Sequence, residues 1–121
     1  MPDDFETRLA ARGTYLLAEP RGPVTLATMQ RLAEELARET GARGGRGVLI
    51  DCAGLRGALP LGQLMSAGQT FARLLPGVRL AAVNAPAEWH DNDFSENVMA
   101  NRGGILRHFA TAAEAEAWLR G

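Results

Sequence analysis

An apolar run that ends abruptly in an acidic residue lies near the middle of the chain. Val48, Leu49 and Ile50 lead directly into Asp51, and the turn-forming sequence Cys-Ala-Gly-Leu-Arg-Gly follows. A short, continuous apolar run closed in this way is typical of a strand that is buried on both faces of a sheet. In open α/β sheets, ligands and partners are usually met at the carboxyl ends of the strands. The run therefore predicts the fold class and the edge of the sheet at which a function is expected.

Strand-like segments also lie on both sides of this run. Segments 5–10 and 14–19 are separated by Ala11-Arg12-Gly13, a spacing that suits a β-hairpin. Downstream, apolar runs predict strands over 78–83 and 105–109. The turn-forming sequence Pro-Arg-Gly-Pro at 20–23 predicts that the chain turns after the hairpin.

Helical periodicity alternates with these strands. Apolar residues at three- and four-residue steps predict a helix that begins after Thr25 and ends at Gly41, followed by a flexible loop, and a second helix over 61–75. A third helix is predicted after an Asp91 or Asn92 cap, and a last one after a capping box formed by a threonine and a glutamate at 111 and 114. This alternation predicts an α/β fold with a mixed, mostly parallel β-sheet of four to five strands and about four helices. A single domain over residues 1–121 is expected.

Composition narrows the function classes. Thirteen Arg and Lys residues against 14 Asp and Glu residues give a formal net charge of −1, and the two signs are interspersed, so nucleic-acid binding is not expected. The chain has no apolar run long enough to span a bilayer and no signal-peptide pattern after Met1, so a soluble cytoplasmic protein is expected. The one cysteine, Cys52, follows the apolar run and is interpreted as a small buried residue.

Side chains with catalytic or metal-binding chemistry cluster only at residues 88–93. His90 stands beside Asp91, with Glu88 and Asp93 nearby, so a divalent metal or acid–base chemistry is conceivable there. Adjacent loop residues rarely converge on one ion, and no second ligand group is evident, so the segment is interpreted as a polar loop and helix cap. Trp89 could instead anchor a partner. No nucleophile and base can be paired, and we expect no enzyme activity, no cofactor and no metal.

Three segments carry a resemblance to a known family. They are GVLIDCAGLRG at 47–57, FSENVMANRG at 94–103 and FATAAEAEAWL at 109–119. In this order they resemble a STAS domain, and more closely its SpoIIAA-like branch, over about residues 14–119. The resemblance implies a non-catalytic, regulatory protein-interaction module related to anti-sigma-factor antagonists.

The resemblance also implies a phosphorylatable serine at the start of the helix after the signature strand. This chain has Leu59-Pro60-Leu61-Gly62 in that region, and no serine. Ser66 lies further on, inside the predicted helix, where its hydroxyl is expected to bond a backbone carbonyl one turn back. A switch driven by a kinase at the helix start is therefore not expected.

The candidate interaction face combines the turn after the signature strand, the following helix and the Trp89 loop. Arg56 is the only charged residue of its turn and has a leucine on either side, so a partner could bury the leucines and pair with the guanidinium. The candidate residues are Leu55, Arg56, Leu59, Leu61, Met65, Trp89 and His90.

Two alternatives remain open at this point. The chain could carry or sense a small apolar ligand or a lipid, in a pocket between helices and sheet lined by Leu59, Leu61, Met65 and Phe71. A homodimer is the other option, alongside an unnamed protein partner.

Overall fold

A computed structural model describes residues 4–85, 96, 99–100 and 102–121 of the chain. The strands are β1 (Glu6–Arg12), β2 (Tyr15–Pro23), β3 (Gly47–Asp51), β4 (Gly54–Arg56), β5 (Arg79–Val83) and β6 (Ile105–Phe109). The helices bounded within these residues are α1 (Leu26–Arg43), α2 (Leu61–Leu74) and α3 (Ala112–Arg120).

The six strands form one sheet in the order β1-β2-β3-β5-β6, with β4 paired to the end of β2. Only the β1–β2 hairpin is antiparallel, and all other pairs are parallel. The predicted mixed, mostly parallel α/β fold is therefore confirmed, with one strand more than expected. The predicted third helix falls largely outside the described residues. Its described members, Glu96, Met99 and Ala100, are helical.

Strand β2 is longer than the sequence predicts. The turn expected over 20–23 does not form, and the strand runs on to Pro23. Beyond Ala18, β2 leaves β3 and pairs with β4, with Arg21 opposite Gly54. Gly22 has a φ of +126°, and a Cβ there would lie 2.8 Å from the Cα of Phe5. Pairing with a distant segment thus overrides the local turn propensity of these residues.

Helix α1 begins as predicted and ends later than predicted. Thr25 caps it, since its hydroxyl accepts a hydrogen bond from the amide of Thr28 at 3.0 Å and the Thr28 hydroxyl accepts one from the Thr25 amide at 2.9 Å. The helix runs through Gly41 to Arg43 and ends at Gly44, which has a φ of +67°. A glycine inside a helix costs only about 1 kcal/mol, so Gly41 does not end α1. Gly44 ends it, because its backbone adopts the left-handed conformation.

Two apolar layers enclose the sheet. The larger layer lies between the sheet and helices α1 and α2, and it contains Leu36, Ile50 and Leu80. The smaller layer lies under α3 and contains Tyr15 and Leu49. Strand β3 contributes to both layers because successive side chains point to opposite faces. The buried strand predicted from the apolar run is confirmed.

Candidate functional site

The carboxyl edge of β3 is fixed by one carboxylate. The Oδ1 atom of Asp51 accepts hydrogen bonds from the amide of Ala53 at 3.1 Å and from the side chain of Asn84 at 3.0 Å. Asn84 follows β5 with a φ of +59°, a conformation that asparagine tolerates better than most residues. The ends of β3 and β5 are therefore held together, and the chain leaves β3 in a defined direction towards β4.

Strand β4 replaces the turn that was expected to carry the interaction face. The amide of Val24 donates to the carbonyl of Arg56 at 2.8 Å, which fixes the end of β4 against the end of β2. The guanidinium of Arg56 is exposed and lies 3.3 Å from the carboxylate of Asp4, which is also exposed. An exposed pair of this kind adds little stability and leaves the arginine accessible to a partner.

The leucines on either side of Arg56 are not presented to a partner in the way the sequence predicts. Leu55 is half-buried, and Leu59 is only 8% exposed. Both belong to the wall of an apolar cavity. The prediction that a partner buries both leucines is therefore wrong, because the fold already buries Leu59.

Helix α2 begins directly after this segment. Pro60 is its first flanking residue, with φ −56° and ψ 155°, and no side chain caps the helix. Leu64, Ala67 and Ala72 are buried against the core. Leu61 is 64% exposed and Met65 is 43% exposed. These last two residues therefore do not line a pocket, as the ligand alternative required, and lie on the outer face of the helix.

The outer face of α2 carries no formal charge over most of its length. The sequence from 57 to 72 contains no Asp, Glu, Lys or Arg, although the chain as a whole has 27 such residues among 121. Ser66 is exposed, and its hydroxyl donates to the carbonyl of Gly62 at 3.3 Å, which confirms the predicted bond to the preceding turn. We define the outer face of α2 by Leu61, Gln63, Met65, Ser66 and Thr70.

An apolar cavity of about 80 Å³ lies on the other side of the same helix. It is bounded by α1, α2, β3, β4, β5 and β6. Its walls include Met29, Leu32, Ile50, Cys52, Leu55, Leu59, Leu64, Ala67, Gly68, Phe71, Leu80, Ala82, Met99, Leu106 and His108.

Cys52 has the buried environment that the sequence predicts. It is 4% exposed, and burial, reinforced by the negative charge of Asp51, raises the pKa of its thiol to about 12. The thiol is therefore neutral at physiological pH and is a poor nucleophile.

Two of the predicted site residues, Trp89 and His90, lie outside the described residues, as does the acidic segment around them. Within residues 4–85, 96, 99–100 and 102–121, no group of three or more metal-ligating side chains comes together. In the same part of the chain, no helix is long and apolar enough to cross a membrane.

Sequence reasoning missed most of the cavity. Only Leu59 and Phe71 of the four predicted lining residues belong to its wall. Small residues could have been the signal, because Ala67 and Gly68 stand on the inner face of α2 and Ala82 stands on the facing strand. Small side chains on facing elements leave space where larger ones would interdigitate.

No protein-family model matches the chain, and no curated protein matches it by sequence. The fold of the chain is similar to that of several solved structures. An anti-sigma factor antagonist from Mycobacterium paratuberculosis is 15% identical, with 100% of this chain and 98% of the other covered and a TM-score of 0.65. SpoIIAA, an anti-sigma factor antagonist solved in its unphosphorylated form, is 13% identical, with 97% and 98% covered and a TM-score of 0.52.

A further structure is an uncharacterised protein from Shewanella loihica PV-4 described as having a SpoIIAA-like fold. It is 18% identical to this chain, with 98% of this chain and 96% of the other covered and a TM-score of 0.55. Likeness at this level of identity concerns the fold. The strand order, the parallel pairing and these structures together establish that the chain has a SpoIIAA-like fold.

Proposed function

We propose that this chain is a non-catalytic regulatory module that binds a protein partner through the outer face of α2. The observation that carries the proposal is the exposure of Leu61 and Met65 on a helix face without charged residues. Interface cores are depleted of charged residues and enriched in residues such as methionine. An exposed apolar pair on an uncharged helix face is a surface of this composition.

The fold supports the choice of partner. Two of the structures that share it are described as anti-sigma factor antagonists, which are proteins that oppose another protein. We infer that the partner here is a protein of the anti-sigma factor type. Arg56, exposed at the end of β4, would pair with a carboxylate of the partner after releasing Asp4.

Regulation by phosphorylation at the start of α2 is not part of this proposal. Pro60 and Leu61 offer no hydroxyl there, and the nearest hydroxyl within the helix belongs to Ser66. That hydroxyl is bonded to the Gly62 carbonyl. Incubation with the source cell extract and ATP should leave Ser66 without stoichiometric phosphate. Stoichiometric phosphate at Ser66, detected by mass spectrometry, would restore a switch of this kind.

The main test is a binding measurement with the purified anti-sigma factors of the source organism. We expect one of them to bind, and the double variant Leu61→Asp/Met65→Asp to weaken that binding at least tenfold, because each charge would have to be desolvated in an apolar interface. Calorimetric titration measures the affinity, and thermal unfolding confirms that the variant is folded.

A control is available on β6, an edge strand of the sheet. Ile105 lies on β6 and is 38% exposed, close to the exposure of Met65. Ile105→Asp introduces one carboxylate, as the single variant Met65→Asp does, and should leave the affinity unchanged. Equal weakening by both variants, or no binding by any anti-sigma factor, would overturn the proposal.

Lipid transport is not supported by the size of the cavity. A volume of about 80 Å³ is well below what an extended acyl chain occupies, and the two exposed residues Leu61 and Met65 lie outside it. The cavity suits a compact molecule.

A further inference from the structure

Helix α2 lies between an exposed apolar surface and an apolar cavity. Its outer face presents Leu61 and Met65, and its inner face contributes Leu64, Ala67 and Phe71 to the wall of the apolar cavity. One helix, about 10 Å across, thus lies between the cavity and the surface proposed to bind the partner. The cavity wall and that surface are therefore built from side chains of the same helix.

The lining of the cavity defines the chemistry of an occupant. Among the described residues, no Asp, Glu, Lys or Arg contributes to the wall. The Cys52 thiol is neutral, since burial raises its pKa to about 12. Apart from the Cys52 thiol and the His108 imidazole, the wall consists of apolar side chains and Gly68, so water there would find few of the two to four polar partners that it needs. An occupant is therefore uncharged and apolar.

The size of the cavity limits the occupant further. An engineered apolar cavity of about 150 Å³ in another protein binds benzene or xenon. The volume here is about 80 Å³, so a compact molecule no larger than a single ring fits after small adjustments of the wall. Phe71, Leu106 and His108, which contribute to the wall, are half-buried.

We propose that this cavity is a binding site for a compact, uncharged apolar molecule, and that its occupancy changes the affinity of the outer face of α2 for the protein partner. The first part stands on the cavity alone. The second part rests on the proposed function, because it requires a partner at Leu61 and Met65.

Benzene is the probe for the first part. In methyl-labelled protein without any partner, we expect saturable shifts of the Ile50 and Leu64 methyl signals. Ala67→Leu places three additional carbons in the cavity and should abolish these shifts, whereas Ala117→Leu, on the exposed face of α3, should leave them unchanged. Decanoate, as an extended chain, should produce no saturable shift at these methyl groups.

Two outcomes would overturn the binding site. One is the absence of saturable shifts in the unmodified protein, and the other is equal shifts in folded Ala67→Leu. If Ala67→Leu does not fold, Ala82→Val fills the space from the opposite wall and makes the same prediction. Saturable decanoate binding at the same methyl groups would contradict the restriction to compact molecules.

The second part is tested by the affinity of the partner with and without saturating benzene. We expect a change of about fivefold or more, the lower end of typical coupling between sites, and no change in Ala67→Leu. Saturable benzene binding with an unaltered partner affinity would overturn the coupling and leave the site intact. If Leu61→Asp/Met65→Asp does not lower the affinity for the partner, the proposed function is overturned. The methyl shifts with benzene would still report binding in the cavity.

Discussion

The two faces of the sheet are held to their helices by different kinds of contact. Under α3, the Tyr15 hydroxyl donates to the Glu116 carboxylate at 2.5 Å, and the Arg79 guanidinium stacks 4.2 Å from the centre of the Trp118 ring. Arg79 also donates to the Trp118 carbonyl, and the Trp118 and Phe109 rings lie 5.5 Å apart. These contacts are directional, so they fix α3 in one position.

Helix α1 also has directional contacts, since Arg31 donates to the Phe5 carbonyl at 2.6 Å and lies 5.3 Å from the centre of the Phe5 ring. Under α2, by contrast, the contacts with the core are apolar and leave a cavity of about 80 Å³. Apolar contacts are not directional, so they restrict the position of α2 less than the contacts of Tyr15 and Arg79 restrict that of α3. The comparison indicates that the α3 side provides rigidity and that the α2 side can respond to a ligand or a partner.

The largest effect is expected at Ile50, on the cavity side of β3. Ile50 is 6% exposed, and Ile50→Ala should lower the free energy of unfolding by about 2–5 kcal/mol, since burial is lost and the cavity grows. Chemical denaturation measures this value. A loss below about 1 kcal/mol would mean that Ile50 contributes little to the core.

A smaller effect is expected at Arg79, on the α3 side. Arg79→Ala removes both the stacking on Trp118 and the hydrogen bond to its carbonyl, and should cost about 1–2 kcal/mol. Arg107 provides the comparison, because it is exposed and makes longer contacts, 5.7 Å from the same ring and 5.5 Å from the Phe109 ring. Arg107→Ala should cost about 0.5 kcal/mol. Equal losses in the two variants, measured by denaturation, would show that α3 is not held by specific contacts.

Alkaline pH tests the burial of Cys52 on the cavity side. The folded state holds the thiol proton up to a pKa of about 12, whereas the ordinary value is 9.0. The unfolded chain therefore loses this proton first, and stability should fall as the pH rises from 9 towards 12. Cys52→Ala should reduce that fall, as measured by denaturation at each pH. The same slope in both proteins would mean that the thiol is solvated.

The smallest effect is expected at Tyr15, on the α3 side. Burial, together with the hydrogen bond to Glu116 and its negative charge, raises the pKa of the Tyr15 phenol above 10.0. The contribution of this group is complete below pH 10 and is lost as the pH rises through the folded-state pKa. Tyr15→Phe should therefore have a flatter stability profile above pH 10. An unchanged profile would show that the phenol titrates alike in the folded and unfolded chains.

How far the sequence predicts this molecule depends on the range of the interactions involved. The strand at Ile50 and the caps at Thr25 and Thr111 follow from local patterns, and the structure confirms them. The pairing of β2 with β4 does not follow, because residues 20–23 carry turn-forming side chains and acquire a strand partner about 30 residues later in the chain.

The candidate site shows the same limit. Helix α2 is apolar around much of its circumference, so periodicity alone does not tell which apolar residues face the core. Packing against α1 and the sheet buries Leu64 and leaves Leu61 and Met65 exposed. The cavity depends on the distances between elements that are remote in sequence, and no local pattern records them. The roles of Trp89 and His90 stay predictions.

The central claim is that α2, and not α3, meets the partner. Titration of methyl-labelled protein with the purified anti-sigma factor tests it most directly, because Leu61 and Met65 report the outer face of α2 while Ala113 and Ala117 report the exposed face of α3. If the partner binds the outer face of α2, we expect saturable shifts or broadening at Leu61 and Met65 with unchanged signals on α3. Saturable changes confined to Ala113 and Ala117 would contradict it.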